Sequence, residues 1–282
     1  MEPNRLRSKS EAYKRTEEQA WNNFSSRYTK VALPEFKPYG DRLVQMAALR
    51  RGLWVLDVAT GPGEPALTAA RRVGPHGQVL GIDFSAAMLK TAASRAREAG
   101  IRNTQFRRMD AERLKLPDMI FDRVFCRFGL MLLPDAERAL AEMYRVLVPS
   151  GRVVVAIWGA QQKVNTMGIV REVLVRNNAF TPPPGAPDFF RFGKAGAIER
   201  ALKIAGFKDI RSERMTVEWV FADPQEFWKA MKQGPSLKRT LARLSPAQRR
   251  LIKDEVEHRL DRFMKRGKLR IPNEAVLAVG RR

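Results

Sequence analysis

Hydrophobic residues follow two alternating periodicities between residues 54 and 158. Short runs, most of them apolar, are separated by stretches in which apolar residues recur at helical spacing. The runs predicted as strands are 54–59, 78–83, 104–109, 121–126 and 152–158. The stretches predicted as helices are 64–73, 85–99, with Ser85 as N-cap, and 135–147. This alternation indicates right-handed βαβ units and a parallel sheet.

The segment before the first strand has a different pattern. Residues 1–20 are polar and predict a frayed or helical arm, whereas apolar residues between 17 and 49 recur at roughly helical spacing. Pro34 and Pro38 interrupt this spacing, and we therefore expect two short helices there.

Beyond residue 158 the chain mixes helical stretches with two further predicted strands. The predicted elements are a helix at 164–177, a proline-rich loop at 181–187, a helix at 194–205, an antiparallel strand at 208–221, a mostly helical basic segment at 224–267 and a last strand at 273–281. Added to the parallel strands, these two give a seven-stranded mixed sheet. The expected fold is therefore α/β, a Rossmann-like doubly wound sheet with a helical cap.

Composition narrows the class of protein. With 282 residues, 44% of them hydrophobic, the chain can bury a sizeable core and is not wholly disordered. Cys126 is the single cysteine, which excludes an internal disulfide framework and a cluster of cysteine metal ligands. The first twenty residues are polar, and no run approaches the roughly 20 apolar residues of a membrane-spanning helix. We therefore expect a cytoplasmic protein without a transmembrane segment.

The charge is strongly positive. Lys and Arg total 52 against 30 Asp and Glu, a net charge of +22, and the densest region is 236–282. Such a field attracts polyanions, including nucleic acid, and would also steer an anionic small molecule. The region has no aromatic interleaving beyond Phe263, which disfavours base-stacking platforms. Nucleic acid is thus the less favoured partner.

A glycine loop follows the first predicted strand. Asp57 lies four residues before Gly61, which is followed by Pro62 and Gly63. Asp83 ends the second predicted strand, twenty residues after Gly63. Glycines at a strand-to-helix turn let backbone amides approach a ligand, and an acid at this distance suits two ribose hydroxyls. The pattern predicts a ligand that contains adenosine.

A dinucleotide is one such ligand, since residues 61–66 satisfy G-x-G-x-x-A. However, Pro62 and Pro65 lack amide donors for a pyrophosphate, and Asp57 and Glu64 would repel its phosphates by about 1 kcal/mol or more per pair. S-adenosyl-L-methionine (SAM) carries no phosphate, and its ammonium favours a nearby acid. The residues therefore favour SAM over NAD.

Five segments in this order resemble the successive motifs of class I SAM-dependent methyltransferases. They are DVATGPGE, GIDFSAAMLKTA, MDAERLKLPD, FDRVFCRFGLMLLPD and ALAEMYRVLVPSGRVVVAIWG. The likeness covers residues 50–160 and is strongest to the ubiquinone/menaquinone-biosynthesis C-methyltransferase group, of the methyltransferase type 11-like kind. The chain departs mildly at Ala59 and Thr60, where the family more often has Gly or Cys.

The resemblance implies roles for the loop and the second strand. In the family the loop wraps the methionine moiety of SAM, which assigns Gly61, Pro62 and Gly63 to that part of the ligand. Asp57 would lie near the SAM ammonium through water, and Asp83 would hold the ribose hydroxyls.

The resemblance also assigns the adenine site. Phe84 and Met88 match apolar residues that sandwich the ring, although Met88 equally fits a core position. Asp110 matches the acceptor of the adenine amino group, and the backbone of Ala111 would read a ring nitrogen. A turn-capping role for Asp110 stays open.

Four more residues are placed near the reaction centre. Cys126 and Arg127 end the fourth strand, where the family lines that centre, but several relatives carry a small residue in place of Arg127. Cys126 fits a small buried residue better than a nucleophile. Trp21 and Tyr28 are expected to close over SAM, or else to pack the N-terminal helices.

These expectations divide the chain into five parts. Residues 1–50 would form an N-terminal helical lid, 51–160 the SAM-binding core, 161–222 a cap segment with a helix and late strand, 223–272 a basic helical cap insertion, and 273–282 the final strand. Large apolar residues of the cap are candidates for an acceptor pocket. They are Phe180, Phe189, Phe190, Phe192, Trp219, Phe221, Phe227, Trp228 and Met231.

The expected function is methyl transfer from SAM to a small, largely apolar or aromatic metabolite, with S-adenosylhomocysteine (SAH) as product. Such an in-line displacement depends mainly on proximity and orientation, so no catalytic residue is assigned, and no metal-ligand set is visible. Three alternatives stay open. They are an RNA methyltransferase that uses the basic surface, an NAD-dependent oxidoreductase and a non-catalytic SAM-binding protein.

Overall fold

The N-terminal segment is almost continuously helical. The computed structural model describes the backbone of residues 2–282 and side chains from residue 8 onward, so Met1 of the predicted arm lies outside the described residues. Helix α1 (Glu2–Arg27) passes through a wide π-helical turn (Tyr28–Ala32) into α2 (Leu33–Met46). The arm is therefore helical.

The prediction that Pro34 and Pro38 divide this segment is wrong. Pro34 lies in the first turn of α2, directly after the π-helical turn, and Pro38 lies inside α2. Tyr39 and Leu43 on the same helix are fully buried against the sheet. This packing offsets the hydrogen bond that Pro38 cannot donate.

The strands form a single mixed sheet. Within residues 2–282 they are β1 (Trp54–Val58), β2 (Gln78–Asp83), β3 (Thr104–Arg108), β4 (Phe121–Arg127), β5 (Leu147–Trp158), β6 (Lys208–Phe221), β7 (Met264–Lys265) and β8 (Lys268–Arg281). Their order is β3-β2-β1-β4-β5-β8-β6, and the short β7 pairs with β8 off this path. Strands β1 to β5 are parallel, whereas β8 is antiparallel to both β5 and β6. The predicted doubly wound sheet is confirmed, with β7 as a short addition.

Helices cover both faces of the sheet and build the cap. They are α3 (Ala66–Val73), α4 (Ala86–Glu98), α5 (Ala136–Val146), α6 (Asn165–Arg176), α7 (Ala197–Ile204), α8 (Pro224–Met231), α9 (Pro235–Ala242) and α10 (Pro246–Leu260). Ser85 caps α4 as predicted, since its hydroxyl accepts a hydrogen bond from the Met88 amide at 3.2 Å. Proline in the first turn of α8, α9 and α10 marks where each begins.

The last strand begins earlier than predicted, at Lys268 rather than at residue 273. The observed strand therefore includes Pro272, which has no amide to donate to a neighbouring strand. In the structure β5 pairs with β8 from Ala275 onward, so one flank of β8 has no strand partner at Pro272. Proline is tolerated at such an unpaired flank.

Two apolar cores hold the elements together. The larger one lies on both faces of the sheet, and a smaller one lies under the cap, where Val173 of α6, Phe227 of α8 and Val256 of α10 are fully buried. Of the residues described, none belongs to a helix that is both long and apolar enough to cross a membrane.

The topology predicts a ligand-binding crevice at the carboxyl ends of β1, β2 and β4. Strand order reverses on either side of β1, because the chain runs to β2 and β3 on one side and to β4 and β5 on the other. Open α/β sheets bind their ligands at such a switch point.

Candidate cofactor and acceptor site

The glycine loop (residues 59–65) joins β1 to α3 at this crevice. Its backbone is left-handed at Ala59, Gly61 and Gly63, with φ of 55°, 54° and 94°. A Cβ at Gly63 would lie 3.1 Å from Ala92, whereas one at Gly61 would meet no described atom within 4 Å. Gly63 therefore allows close packing on α4, and Gly61 leaves room for a ligand. Alanine adopts this conformation at a cost of roughly 1 kcal/mol, which fits the frequent glycine of the family at position 59.

Asp57, at the end of β1, is fully buried behind the loop. Its Oδ2 accepts hydrogen bonds from the Thr60 hydroxyl at 2.6 Å and the Ala66 amide at 3.1 Å. No described group hydrogen-bonds its Oδ1. Burial raises the pKa of Asp57 to about 7, although the Thr60 hydrogen bond and the charge of Arg127 act in the opposite direction. A buried carboxylate oxygen is thus left without a donor.

Asp83 ties the end of β2 to the glycine loop. Its Oδ1 accepts from the Ser85 amide and its Oδ2 from the Gly61 amide, both at 2.9 Å. The N-cap of α4 is Ser85, so Asp83 is not the helix cap. Burial raises the pKa of Asp83 to about 6, and the two amide hydrogen bonds oppose this shift. Each oxygen keeps a lone pair for a further donor.

Asp110 follows β3, where the adenine acceptor was expected. Its Oδ1 accepts from the Glu112 amide at 2.9 Å, so the turn-capping interaction is present. Its Oδ2 lies 2.9 Å from Lys14 Nζ, which also pairs with Glu112. Burial alone would lower the pKa of Lys14, but its hydrogen bonds to Glu112 and Asp110 outweigh burial and raise that pKa above its ordinary value. Helix α1 therefore contacts the predicted adenine site at Asp110.

Further polar side chains of α1 continue this contact along the edge of the crevice. Glu18 pairs with Arg108 at the end of β3. The Asn22 carbonyl oxygen accepts from the Ser85 hydroxyl at 2.7 Å, and Ser25 hydrogen-bonds Thr91 of α4 at 3.1 Å.

Sequence reasoning missed these α1 contacts. A signal was present, because positions 14, 18, 22 and 25 recur at helical spacing and are all polar. The pattern alone does not say which surface such a polar stripe covers.

The remaining adenine candidates differ in burial. Met88 is 2% exposed and packs as a core residue, and Ala111 is also buried. Phe84 is half-buried, and its carbonyl accepts a hydrogen bond from Arg108 Nε at 3.1 Å. Of these residues, Phe84 is the more accessible to a ligand.

An aromatic cluster lies at the carboxyl ends of β4 and β5. It consists of Phe36, Phe128, Trp158 and Trp219, and the ring of Phe36 is 5.0 to 5.6 Å from the other three by centroid distance. Trp158 ends β5, Phe128 directly follows β4, and Phe36 comes from α2. Trp219 Nε1 is buried and has no hydrogen-bond acceptor among the described residues.

Trp21 and Tyr28 connect α1 to this cluster. Their rings are 5.8 Å apart, and Tyr28 is also 5.8 Å from Phe36. Both are half-buried. The structure therefore places them in one aromatic chain with the cluster.

The candidate cap residues do not converge on one pocket. Trp219 belongs to the aromatic cluster, whereas Phe227 and Trp228 are buried in the second core, beneath the cap. The large apolar residues of α8 thus support the cap from within.

Cys126 and Arg127 end β4 beneath the glycine loop. Burial, followed by the charge of Asp57, raises the pKa of the Cys126 thiol to about 12, so the thiol stays protonated. Arg127 is 7% exposed, and its Nε donates to the Glu64 carbonyl at 3.1 Å. Within the part of the chain that is described, no three His, Cys, Asp or Glu side chains are grouped closely enough to hold a metal ion.

Comparisons with known proteins point to one class. Residues 55–151, about a third of the chain, match a family described as "Methyltransferase domain". Aklanonic acid methyltransferase DauC of Streptomyces sp. (strain C5) is 37% identical over 142 residues, which cover 50% of this chain and 64% of DauC. The ubiquinone/menaquinone biosynthesis C-methyltransferase UbiE of Idiomarina loihiensis is 40% identical over 113 residues, covering 40% of this chain and 45% of UbiE. The chain thus spans roughly half of these curated relatives.

A solved structure supports the fold. Phosphoethanolamine N-methyltransferase 2 of Haemonchus contortus, in complex with phosphomonomethylethanolamine and SAH, superimposes with a TM-score of 0.55 at 20% identity, over 87% of this chain and 53% of that one. Fold, motif order and sequence similarity confirm the resemblance. Residues 55–151 form a class I SAM-dependent methyltransferase domain.

Proposed function

We propose that the chain transfers a methyl group from SAM to a small, largely apolar or aromatic metabolite. The observation that carries the proposal is that two buried acids and an aromatic cluster lie at the carboxyl ends of neighbouring strands. Asp57 lies one residue before the end of β1, Asp83 ends β2, and the cluster lies at the carboxyl ends of β4 and β5.

The residues on the β1–β2 side fit SAM. The partnerless Oδ1 of Asp57 would accept from the ammonium, and the free lone pairs of Asp83 would accept from the ribose hydroxyls. The open space beside Gly61 would admit the ligand at the loop. Asp57 and Glu64, which flank the loop, would repel a pyrophosphate, and this argues against NAD.

The residues on the β4–β5 side fit an aromatic acceptor. The rings of Phe36, Phe128 and Trp158 offer stacking surfaces, and the partnerless Trp219 Nε1 would donate to an oxygen on the acceptor. The names of two relatives support an acceptor of this kind: DauC is an aklanonic acid methyltransferase, and UbiE is a C-methyltransferase of ubiquinone/menaquinone biosynthesis. Phe36 and Trp219 are in contact in this structure, so a bound ring would have to displace one of them.

Bound SAM supplies a methyl group already activated on a good leaving group. The chain then has to align the two reactants, exclude water and hold the donor in place. Asp57 and Asp83 hold the donor, the aromatic cluster orients the acceptor, and α1 covers the crevice. Because the Cys126 thiol is buried and protonated, it does not act as a nucleophile.

The test is methyl transfer from labelled SAM to a panel of hydroxylated quinols, aromatic carboxylic acids and RNA. We expect label in an aromatic acceptor and none in RNA. Trp219→Phe keeps a ring but removes the donor, and we expect it to raise the KM for the acceptor about tenfold while the KM for SAM is unchanged. Label in RNA alone, or none in any acceptor, would contradict the proposal.

A further inference from the structure

Arg127 is an unusually buried cation beside the proposed methionine site. Its side chain, 7% exposed, runs from the end of β4 under the glycine loop, where Nε donates to the Glu64 carbonyl. A Cβ on Gly40 of α2 would lie 3.6 Å from its Cδ, and its Cζ is 5.4 Å from the centre of the Phe36 ring. The guanidinium is therefore enclosed between the loop and α2.

One end of this guanidinium has no partner. Its Nη1 is buried, and the residues that the structure describes offer it no acceptor. Buried donors are almost always satisfied in folded proteins, and the cost of leaving one unpaired rises when the group is charged. This buried guanidinium nitrogen is therefore available to an acceptor from outside the chain.

A second partnerless atom of opposite charge borders the same loop. Asp57 Oδ1 is also buried without a donor, and the charge of Arg127 acts on Asp57. Asp57 and Arg127, both among the described residues, do not form an ion pair with each other. An amino acid carries an ammonium and a carboxylate on one carbon, and it complements two such atoms at once.

We infer that Arg127 binds the α-carboxylate of the methionine moiety of SAM and SAH. This inference rests on the proposed function and adds a recognition residue to it. An arginine fork matches a carboxylate with two parallel N–H donors, and Nη1 is free for that purpose.

The decisive probe is SAH beside its decarboxylated analogue, which keeps the ammonium, thioether and adenosine. Calorimetry on the full chain would compare wild type with Arg127→Met, which keeps an apolar stem against Phe36. We expect Arg127→Met to weaken SAH binding about ten- to a hundredfold and to leave binding of the analogue unchanged. Arg127→Lys should recover part of the SAH affinity, because the charge returns without the fork.

A matched control is Arg95→Met. Arg95 also contacts the loop, through the Pro62 carbonyl and Glu64, but it is more exposed and its contacts are satisfied within the chain. We expect this variant to change SAH and analogue binding equally. Thermal unfolding of each variant would show that the fold is retained.

The outcomes separate the explanations. Equal weakening of both ligands by Arg127→Met would mean that Arg127 merely holds the loop to α2. Unchanged binding of both, with a raised KM for an acidic acceptor, would mean that Arg127 binds the acceptor. Either result overturns the inference. Failure of wild type to bind either ligand would instead contradict the proposed function.

Discussion

Lys14 on α1 donates to Asp110 at the carboxyl end of β3, with 2.9 Å between Nζ and Oδ2. The two residues are 96 positions apart, and their contact fixes the N-terminal helix against the predicted adenine edge. The Lys14 side chain is largely buried, with 16% of its surface exposed. It therefore holds the lid more firmly than a surface ion pair would.

Lys14→Met should loosen the lid helix. Loss of two ion pairs at one end of α1 should lower the free energy of local opening of this helix by about 1 kcal/mol. We therefore expect amide hydrogen exchange in α1 to accelerate about fivefold. Lys37→Met, which removes an exposed pair with Asp41 on α2, is the control and should leave α1 unaffected. Equal exchange in Lys14→Met and wild type would show that the Lys14 contacts do not hold α1.

The raised pKa values of Asp57 and Asp83 predict the sign of two pH effects. Burial raises these pKa values to about 7 and about 6, so the folded chain holds both protons more tightly than the unfolded chain. Each group favours folding below its ordinary pKa of about 4, and this contribution is lost as the pH rises through about 6 to 7. Ligand binding needs the carboxylates and has the opposite sign.

Binding of methylthioadenosine isolates the effect of Asp83, because this ligand lacks the ammonium that would face Asp57. Its affinity should be constant above about pH 7 and should fall as the pH drops through 6, approaching tenfold per pH unit. Asp83→Asn should bind more weakly and show no such fall. A wild-type affinity that is flat between pH 5 and 7 would mean that Asp83 does not contact the ribose.

Removal of α1 tests the lid. We propose that the lid function lies in α1, because Tyr39 of α2 is fully buried and its hydroxyl donates to the Asn273 carbonyl at 2.7 Å. A chain lacking residues 2–27 should keep a cooperative unfolding transition, bind SAH at least tenfold more weakly and lose turnover. A chain truncated before Leu43 also loses Phe36 and Tyr39, and we expect it to unfold. Full activity without α1 would contradict the lid assignment.

The sequence predicted the parallel sheet well because its strands and helices are locally coded. Ser85 is a suitable cap, and strands β1 and β2 are short apolar runs that are buried after their first residue. The N-terminal helices were harder, since Pro38 reads as a break and the packing of Tyr39 and Leu43 that offsets it is not visible locally.

The site could be predicted where the motif itself supplies the geometry. Asp57, Gly61 and Asp83 lie together because the loop and two strand ends bring them together. Lys14 and Phe36 were not predicted as neighbours of this site, and Trp219 was predicted only as one of many candidate cap residues, because all three come from distant parts of the chain. Their positions follow from how α1, α2 and β6 pack on the sheet.

Calorimetry with SAH and NAD tests the central claim most directly. The account predicts that SAH binds with micromolar affinity, on the order of −8 kcal/mol, and that NAD does not bind. It also predicts that Asp57→Asn weakens SAH binding, because the buried side chain would no longer offer a negative charge to the SAH ammonium. Binding of NAD without binding of SAH would contradict the account.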